Sequence, residues 1–233
     1  MFDLTDTSSS SVTEFDSGET GTGVERVTEA CLPTEYGEFR LIGYRSRVSG
    51  EEFVVLARGE MSAQTPTIVR IHSQCMTGDV FGSLKCDCGQ QLRATMKMIS
   101  RRGSGVIVYQ QQEGRGIGIM NKIRAYSLQD KGADTIEANV RLGFDPDLRR
   151  YDECAQILFD LGLRRVRLVS NNPDKIAALE AAGLEISDRI SLKIKHHRSL
   201  LRYLKTKREE MGHLIDLPTS IYDSNIDACS EAL

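Results

Sequence analysis

Residues 90–130 read QQLRATMKMISRRGSGVIVYQQQEGRGIGIMNKIRAYSLQD, and three elements follow from that line alone. In Gln90–Ser100, Leu92, Met96 and Ile99 recur at helical spacing and share one face. Gly103-Ser104 ends that pattern, and Gly105–Gln110 is a short, strongly apolar run that predicts a buried strand. Gly116–Asp130 predicts a second helix, with Ile117, Met120 and Leu128 near one side.

The segments before this line read as strands. Apolar alternation marks Val24–Cys31, Phe39–Tyr44, Phe53–Arg58 and Thr67–Ser73, separated by turn chemistry such as Ser49-Gly50. After it the pattern alternates. Tyr151–Leu161 predicts a helix, Arg165–Ser170 a buried strand, and Pro173–Ala182 a helix with proline at its start. Leu184–Ile190 predicts a last strand and Ser199–Met211 a charged helix. Strands first, then strand–helix alternation, give an α/β (α+β) fold: a mixed sheet with antiparallel N-terminal strands and flanking helices. No repeat or linker composition interrupts residues 24–215, so a single domain is expected there, between a disordered tail at 1–23 and a frayed tail at 216–233.

Composition narrows the function class. The chain has 233 residues, 40% hydrophobic and 27% charged, ordinary for a globular protein with a sizeable core. A formal net charge of -3 argues against broad nucleic-acid binding, which needs a basic face, although Lys193 to Arg208 is locally basic. No run approaches the roughly 18 apolar residues of a membrane span. The Ser-, Thr- and acid-rich start lacks the cationic and apolar regions of a targeting peptide, which places the chain in the cytoplasm by default.

Six cysteines stand at 31, 75, 86, 88, 154 and 229. Three of them fall in Arg70–Gly89, RIHSQCMTGDVFGSLKCDCG. In a reducing compartment such a cluster is a metal-site candidate rather than a disulfide framework. In an extended stretch Cys86 and Cys88 would point the same way, and Cys75, at a strand end, could fold back to meet them. Three soft thiolates suit Zn²⁺ best. Spacing alone leaves open whether the zinc is structural, with His72 as a fourth ligand, or catalytic, with a free position. An all-thiolate set carries net negative charge and benefits from hydrogen-bond donors to its sulfurs.

Other polar segments sit where ligands bind. Glu113-Gly114-Arg115-Gly116 lies between a strand and a helix, where glycines admit close approach, an acid can pair with a guanine edge and a guanidinium with phosphate. Asp145–Asp152 carries paired charges before a helix, which Asp147 could simply cap. Ser170–Lys175 follows a buried strand at its carboxyl end, a usual ligand position in open α/β sheets, though a plain polar turn explains it equally. His196-His197, in a basic region, reads as solvent-facing.

Together these segments resemble the GTP cyclohydrolase II family of riboflavin biosynthesis. The matching stretches are RIHSQCMTGDVFGSLKCDCG, QEGRGIGIMNKIRAYSLQDKGADTIEAN, LGFDPDLR, SNNPDK and KTKREEMGHL, in order, across roughly Val24 to Ile215. The resemblance implies that Cys75, Cys86 and Cys88 hold one zinc per subunit in a catalytic site. It implies GTP contacts at Arg70, Ile71, His72, Ser73, Gln74, Gln91, Glu113, Gly114, Arg115, Thr135, Ser170 and Lys175. Asp147 matches the family's proposed proton acceptor, Arg149 its proposed nucleophile, and Tyr126 a tyrosine implicated in ring opening. The implied reaction converts GTP to 2,5-diamino-6-(5-phosphoribosylamino)pyrimidinone, with formate from C8 and pyrophosphate from the triphosphate, Mg²⁺ holding the latter. A homodimer is also implied. The dihydroxybutanone-phosphate synthase domain of some relatives would not fit in the short N-terminal tail, so a stand-alone form is expected.

Two of these implications meet elementary chemistry. A guanidinium with a pKa above about 12 is a poor nucleophile, so Arg149 reads either as nucleophile or as a charge clamp. The family's usual acid is replaced by Gln74, which keeps in view a diverged enzyme stopping at a formamidopyrimidine. Gln111, where a basic residue is common, and Arg189-Ile190-Ser191-Leu192, lacking the usual proline, are further departures. A non-catalytic zinc and nucleotide-binding module is the reading from another class.

Overall fold

The computed structural model describes residues 23–192, 194, 196–197, 200–215 and 221–222. Strands β1 (Val24–Thr34), β2 (Gly37–Ser46) and β3 (Glu52–Arg58) form an antiparallel meander. β3 then pairs antiparallel with β5 (Gly105–Gln110), whose other neighbour is β4 (Thr67–Ser73), in parallel. β6 (Arg165–Val169) and β7 (Glu185–Ile190) continue the parallel half, giving seven strands in the order β1-β2-β3-β5-β4-β6-β7. The expected mixed sheet is present, with its antiparallel part at the N-terminus.

The two faces are covered by different helices. After β4 come the single turn α1 (Met76–Asp79) and α2 (Cys88–Arg102), whose Leu92, Met96 and Ile99 pack on Ile68 and Ile107. The left-handed Gly103 ends α2 where the sequence placed its stop. After β5 the chain forms α3 (Gly118–Asp130), α4 (Thr135–Arg141) and α5 (Asp152–Asp160). α5 covers the opposite face, setting Cys154, Ala155, Ile157 and Leu158 against Val69, Ile71, Val106 and Val108. α6 (Pro173–Ala181) joins that side through Leu179. Because β4 feeds β5 on one side and β5 feeds β6 on the other, the connections part above the carboxyl ends of β4 and β6. Ligands of open α/β sheets bind at such a parting.

The remaining elements refine the expectation. The helix expected from Gly116 starts at Gly118, after a 3-10 turn over Glu113–Gly116. α4 was not expected, although Asp134 caps it by accepting from Ile136 N and Glu137 N at 2.7 and 2.8 Å, and Asp134-x-x-Glu137 is an N-terminal signature. α7 (Leu201–Glu209) lies within the expected charged helix. Short strands β8 (His196–His197) and β9 (Ile221–Tyr222) pair in parallel, while the side chains of His196 and His197 lie outside the described residues. So do the expected tails, apart from Gly23 and β9. No helix among the described residues is long and apolar enough to cross a membrane.

Candidate active site

Cys75 immediately precedes α1 and Cys88 is the first residue of α2, with Cys86 in the turn before it. The three Sγ atoms lie within 4.8 Å of one another, and those of Cys75 and Cys86 are 3.5 Å apart. The cluster is built on two helix starts rather than on the extended Cys86–Cys88 segment that spacing suggested. It forms because glycines let α1 lie against α2. A Cβ on Gly89 would sit 2.0 Å from the Gly78 carbonyl oxygen, and one on Gly78 would sit 2.8 Å from Cys86 Sγ.

The donor set fits a soft divalent ion. Hydrogen bonds from Cys86 and Cys88, then the charge of Lys122, hold the Cys75 thiol far below its ordinary range. The Cys75 sulfur in turn pushes Cys86 up to about 11, and Cys75 and Cys86 push Cys88 higher still. One sulfur ionises easily and its neighbours then cannot, a conflict that a cation among them removes. Among the described residues no further His, Cys, Asp or Glu joins the trio.

His72 is not a fourth ligand here. Its Nδ1 accepts from Arg70 Nε at 3.2 Å, which leaves the ring proton on Nε2, 3.1 Å from both carboxylate oxygens of Asp79. Burial, opposed by Asp79, lowers its pKa to about 4, so the ring is neutral. Asp79 also accepts from Cys75 N at 3.0 Å and from Tyr109 Oη at 2.9 Å, locking α1 to the sheet. Arg70 spends its remaining donors on Val169 O and on Gln91 Oε1, at 3.2 and 2.5 Å. These polar side chains on a central, buried strand form one closed network.

Glu113, expected to meet a guanine edge, lines the cavity and already accepts three hydrogen bonds. Its Oε2 accepts from Met76 N at 2.6 Å, and its Oε1 from Gly114 N at 2.8 Å and Lys122 Nζ at 2.7 Å. Lys122, on α3, also reaches Cys75 Sγ at 3.1 Å. Burial works against its charge, but the Glu113 carboxylate and the nearby sulfur raise its pKa above the ordinary lysine value. Tyr126, one turn on, sets its hydroxyl 3.3 Å from Thr77 Oγ1. Burial pushes Tyr126 up to about 12, so it is a protonated phenol at neutral pH.

A second group of charges lines the same cavity as the trio, which has a volume of about 740 Å³, the size of a small-molecule site. Arg149 forms a bidentate pair with Asp147, Nε to Oδ1 at 2.8 Å and Nη2 to Oδ2 at 2.5 Å. Although burial disfavours its charge, this pair raises the Arg149 pKa further. Burial raises Asp147, but the Arg149 bonds outweigh it and hold the carboxyl below its usual range. Asp147 therefore serves Arg149 and not a helix start, since α5 begins at Asp152. Lys175 is buried, donates to Ile71 O at 2.9 Å, and has its pKa pushed well down, first by burial and then by Arg149 and Arg70. Arg115 adopts φ of 64°, a conformation rare outside glycine and a form of local strain found at functional sites.

The cavity wall takes in Ser73 and Gln74 at the end of β4, Gly114 and Arg115, Ser170 and Lys175 beside α6, and all three cysteines. Gln110 Nε2 and Arg149 Nη1 both donate to Ser73 Oγ, at 2.7 and 3.4 Å. Ser170 Oγ accepts from Asn172 N at 3.1 Å. Ile71 is placed differently, its side chain in the core and only its carbonyl turned to Lys175. Thr135 opens α4, and its side chain lies outside the described residues. Lys122, Asp79, Lys207 and His213 were not singled out in the sequence. The last two come from the KTKREEMGHL stretch, which was matched to the family as a whole without a role for either residue.

The chain is similar to known proteins over most of its length. A family model described as GTP cyclohydrolase II matches residues 25–191. The chain is 49% identical over 209 residues to GTP cyclohydrolase-2 of Pasteurella multocida, covering 89% of this chain and 95% of that protein. It is 52% identical over 192 residues to Riboflavin biosynthesis protein RibBA of Chlorobium phaeovibrioides, covering 82% of this chain and 47% of that one. Identity to RibBA of Bacillus cytotoxicus is 50% over 196 residues, 84% of this chain and 49% of the other. The chain thus spans about half the length of the RibBA relatives it matches and nearly all of the P. multocida protein.

Proposed function

The chain belongs to the GTP cyclohydrolase II family, and from that membership we propose that it hydrolyses GTP to 2,5-diamino-6-(5-phosphoribosylamino)pyrimidinone, formate and pyrophosphate, the first step of riboflavin biosynthesis. The observation that carries the reading is the presence, in one cavity, of a three-cysteine cluster and buried or half-buried basic side chains, Arg70, Arg115, Arg149 and Lys175. Such a cavity suits a ligand that carries both a hydrolysable ring and a chain of phosphates.

Cys75, Cys86 and Cys88 would hold Zn²⁺, which when bound would supply Lewis acidity; no fourth side chain joins them among the described residues. The protein's own groups do the rest. Tyr126 stays protonated beside the cluster and donates a hydrogen bond to the nucleobase as its ring opens. Lys122 balances the charge of the sulfurs. At the triphosphate Arg149, kept cationic by Asp147, stabilises negative charge gathering on the phosphoryl group that loses pyrophosphate. A guanidinium so firmly protonated favours the charge-clamp role over the nucleophilic one. Arg115, Ser170 and Lys175 bind GTP, with Mg²⁺ carried on its triphosphate. The enzyme acts as a cytoplasmic homodimer, on family likeness alone.

The test is mass spectrometry of products after GTP is incubated with zinc-loaded protein and Mg²⁺, beside a Cys86→Ser control. Formate, pyrophosphate and the diaminopyrimidine together are expected, and none of the ring-opened products from the control. Pyrophosphate without formate would mean arrest at a formamidopyrimidine, the outcome that Gln74 would account for. Tight GTP binding with no product at all would leave only a nucleotide-binding module.

A further inference from the structure

After α7 the chain turns back towards the cavity. His213 N donates to Lys207 O at 3.0 Å and Leu214 N to Asn171 O at 2.9 Å, pinning the segment between α7 and the loop after β6. His213 is 9% exposed and forms part of the cavity wall. Its Nε2 is buried and has no hydrogen-bond partner among the described residues. Buried polar atoms are almost always paired, so an unpaired one facing a cavity points to a missing ligand.

The surroundings define what that ligand is. Lys207, Arg149, Arg115 and Lys175 all act on the ring electrostatically. Two have acids to answer them, Arg149 with Asp147 and Lys207 with Asp87 at 3.4 Å. Arg115 reaches only the Pro146 carbonyl, at 3.3 Å, and keeps a buried Nη2 without a partner. Lys175 reaches the Ile71 carbonyl and lies 5.4 Å from the centre of the Tyr151 ring, with no carboxylate partner among the described residues. Asn172 Nδ2, on the same wall, is likewise buried and unpaired. Unpaired donors amid an excess of positive charge call for an anion with many oxygens. A nucleobase or a ribose would leave the cations uncompensated.

We infer that His213 is a phosphate-binding residue, its imidazole Nε2–H donating to an oxygen of the substrate's triphosphate chain. The inference rests on the reading of the cavity as a GTP site and adds to it a contact made by the segment that follows α7. Burial and the surrounding cations lower the pKa of the ring to about 3, so it offers a donor without adding to the local charge. α7 is tied to the cysteine cluster as well, through Lys207 and Asp87, the residue between Cys86 and Cys88.

The experiment compares His213→Gln, which keeps a donor near the Nε2 position, with His213→Leu, which fills similar volume without one. Inorganic tripolyphosphate and guanosine are each titrated calorimetrically into zinc-loaded wild-type protein and both variants. The leucine variant is expected to bind tripolyphosphate roughly tenfold more weakly, and the glutamine variant within about threefold of wild type. Guanosine binding is expected to be the same in all three. Equal tripolyphosphate affinity in the two variants, parallel losses for both ligands, or no tripolyphosphate binding by the wild type would each overturn the inference. If wild-type protein binds tripolyphosphate as expected yet opens no guanine ring, the cyclohydrolase reading fails and the role of His213 stands.

Discussion

Lys122 Nζ donates to Cys75 Sγ across 3.1 Å. The lysine's other bond, to Glu113 at 2.7 Å, fixes it in place, because Glu113 is itself held by two backbone N–H groups. A set of three thiolates around a divalent ion has a net charge of about -1, and a buried ammonium beside one sulfur offsets it. Lys122→Met should weaken zinc binding by roughly 10- to 100-fold, the usual cost of losing an outer-shell partner. Competition with a chromophoric chelator measures this directly. In the cobalt-substituted protein the sulfur-to-metal charge-transfer band should also shift. An unchanged zinc affinity and band would mean that the bond to Cys75 does not tune the metal.

The Arg149–Asp147 pair separates two accounts of the phosphate chemistry. If Arg149 acts as a charge clamp, Arg149→Lys keeps the charge, loses the bidentate geometry, and lowers kcat roughly 100-fold without abolishing it. Acid-quenched enzyme examined by intact-protein mass spectrometry should carry no nucleotidyl group. A covalent nucleotide on wild-type Arg149, absent from the lysine variant, would restore the nucleophile. Asp147→Asn leaves a mostly buried guanidinium without its carboxylate and should cost about 3 kcal/mol in denaturant unfolding.

β2 to β6 and α2 were legible because each buries apolar residues at the period of its geometry, whereas β1 and β7, mostly exposed, were marked by alternation alone. Leu92, Met96 and Ile99 do meet Ile68 and Ile107, and proline at the start of α6, with Asn172 as its cap, marked that helix correctly. The cysteine trio was legible as chemistry but not as geometry. A two-residue spacing serves an extended segment, yet the chain uses a helix start, because the approach of α1 to α2 depends on backbone packing at Gly78 and Gly89. Lys122 was not legible. Its partner Cys75 lies 47 residues away, and nothing local distinguishes it from any lysine on a helix. The partners of Glu113 were not legible for the same reason: nothing in the glycine-rich turn shows that Met76 and Lys122 close on its carboxylate. His213 was quoted within a matching stretch, but its place in the cavity follows only from the path of the chain after α7.

Close packing at the two glycines gives a prediction that needs no knowledge of substrate. The atom nearest a Cβ on Gly89 is a backbone oxygen at 2.0 Å, which cannot yield without moving α1. On Gly78 the nearest is Cys86 Sγ at 2.8 Å, which can yield by rotating away from the cluster. Gly89→Ala should therefore lower overall stability, by roughly 1 to 3 kcal/mol. Gly78→Ala should fold closer to normally while losing zinc. Thermal unfolding and metal analysis on the same samples distinguish the two. Full zinc occupancy in Gly78→Ala would show that the sulfurs have more room than this packing allows.

His72 makes stability depend on pH with a definite sign. In the folded chain burial lowers its pKa to about 4, whereas an unfolded histidine titrates near 6.5. Between those values the unfolded state binds a proton that the folded state refuses, so acid favours unfolding. The contribution is fully present above pH 6.5, is lost as pH falls to about 4, and changes no further below that. Over that window it amounts to roughly 3 kcal/mol. His72→Gln can accept from Arg70 and donate to Asp79 without titrating. Its unfolding free energy, whatever its offset at pH 7.5, should gain on wild type by about that amount as pH falls to 4. Proton-driven loss of zinc affects both proteins alike and cancels in the difference. Parallel stability curves would mean that His72 takes up its proton at the same pH in the folded and unfolded chain, and so is not held neutral by its burial.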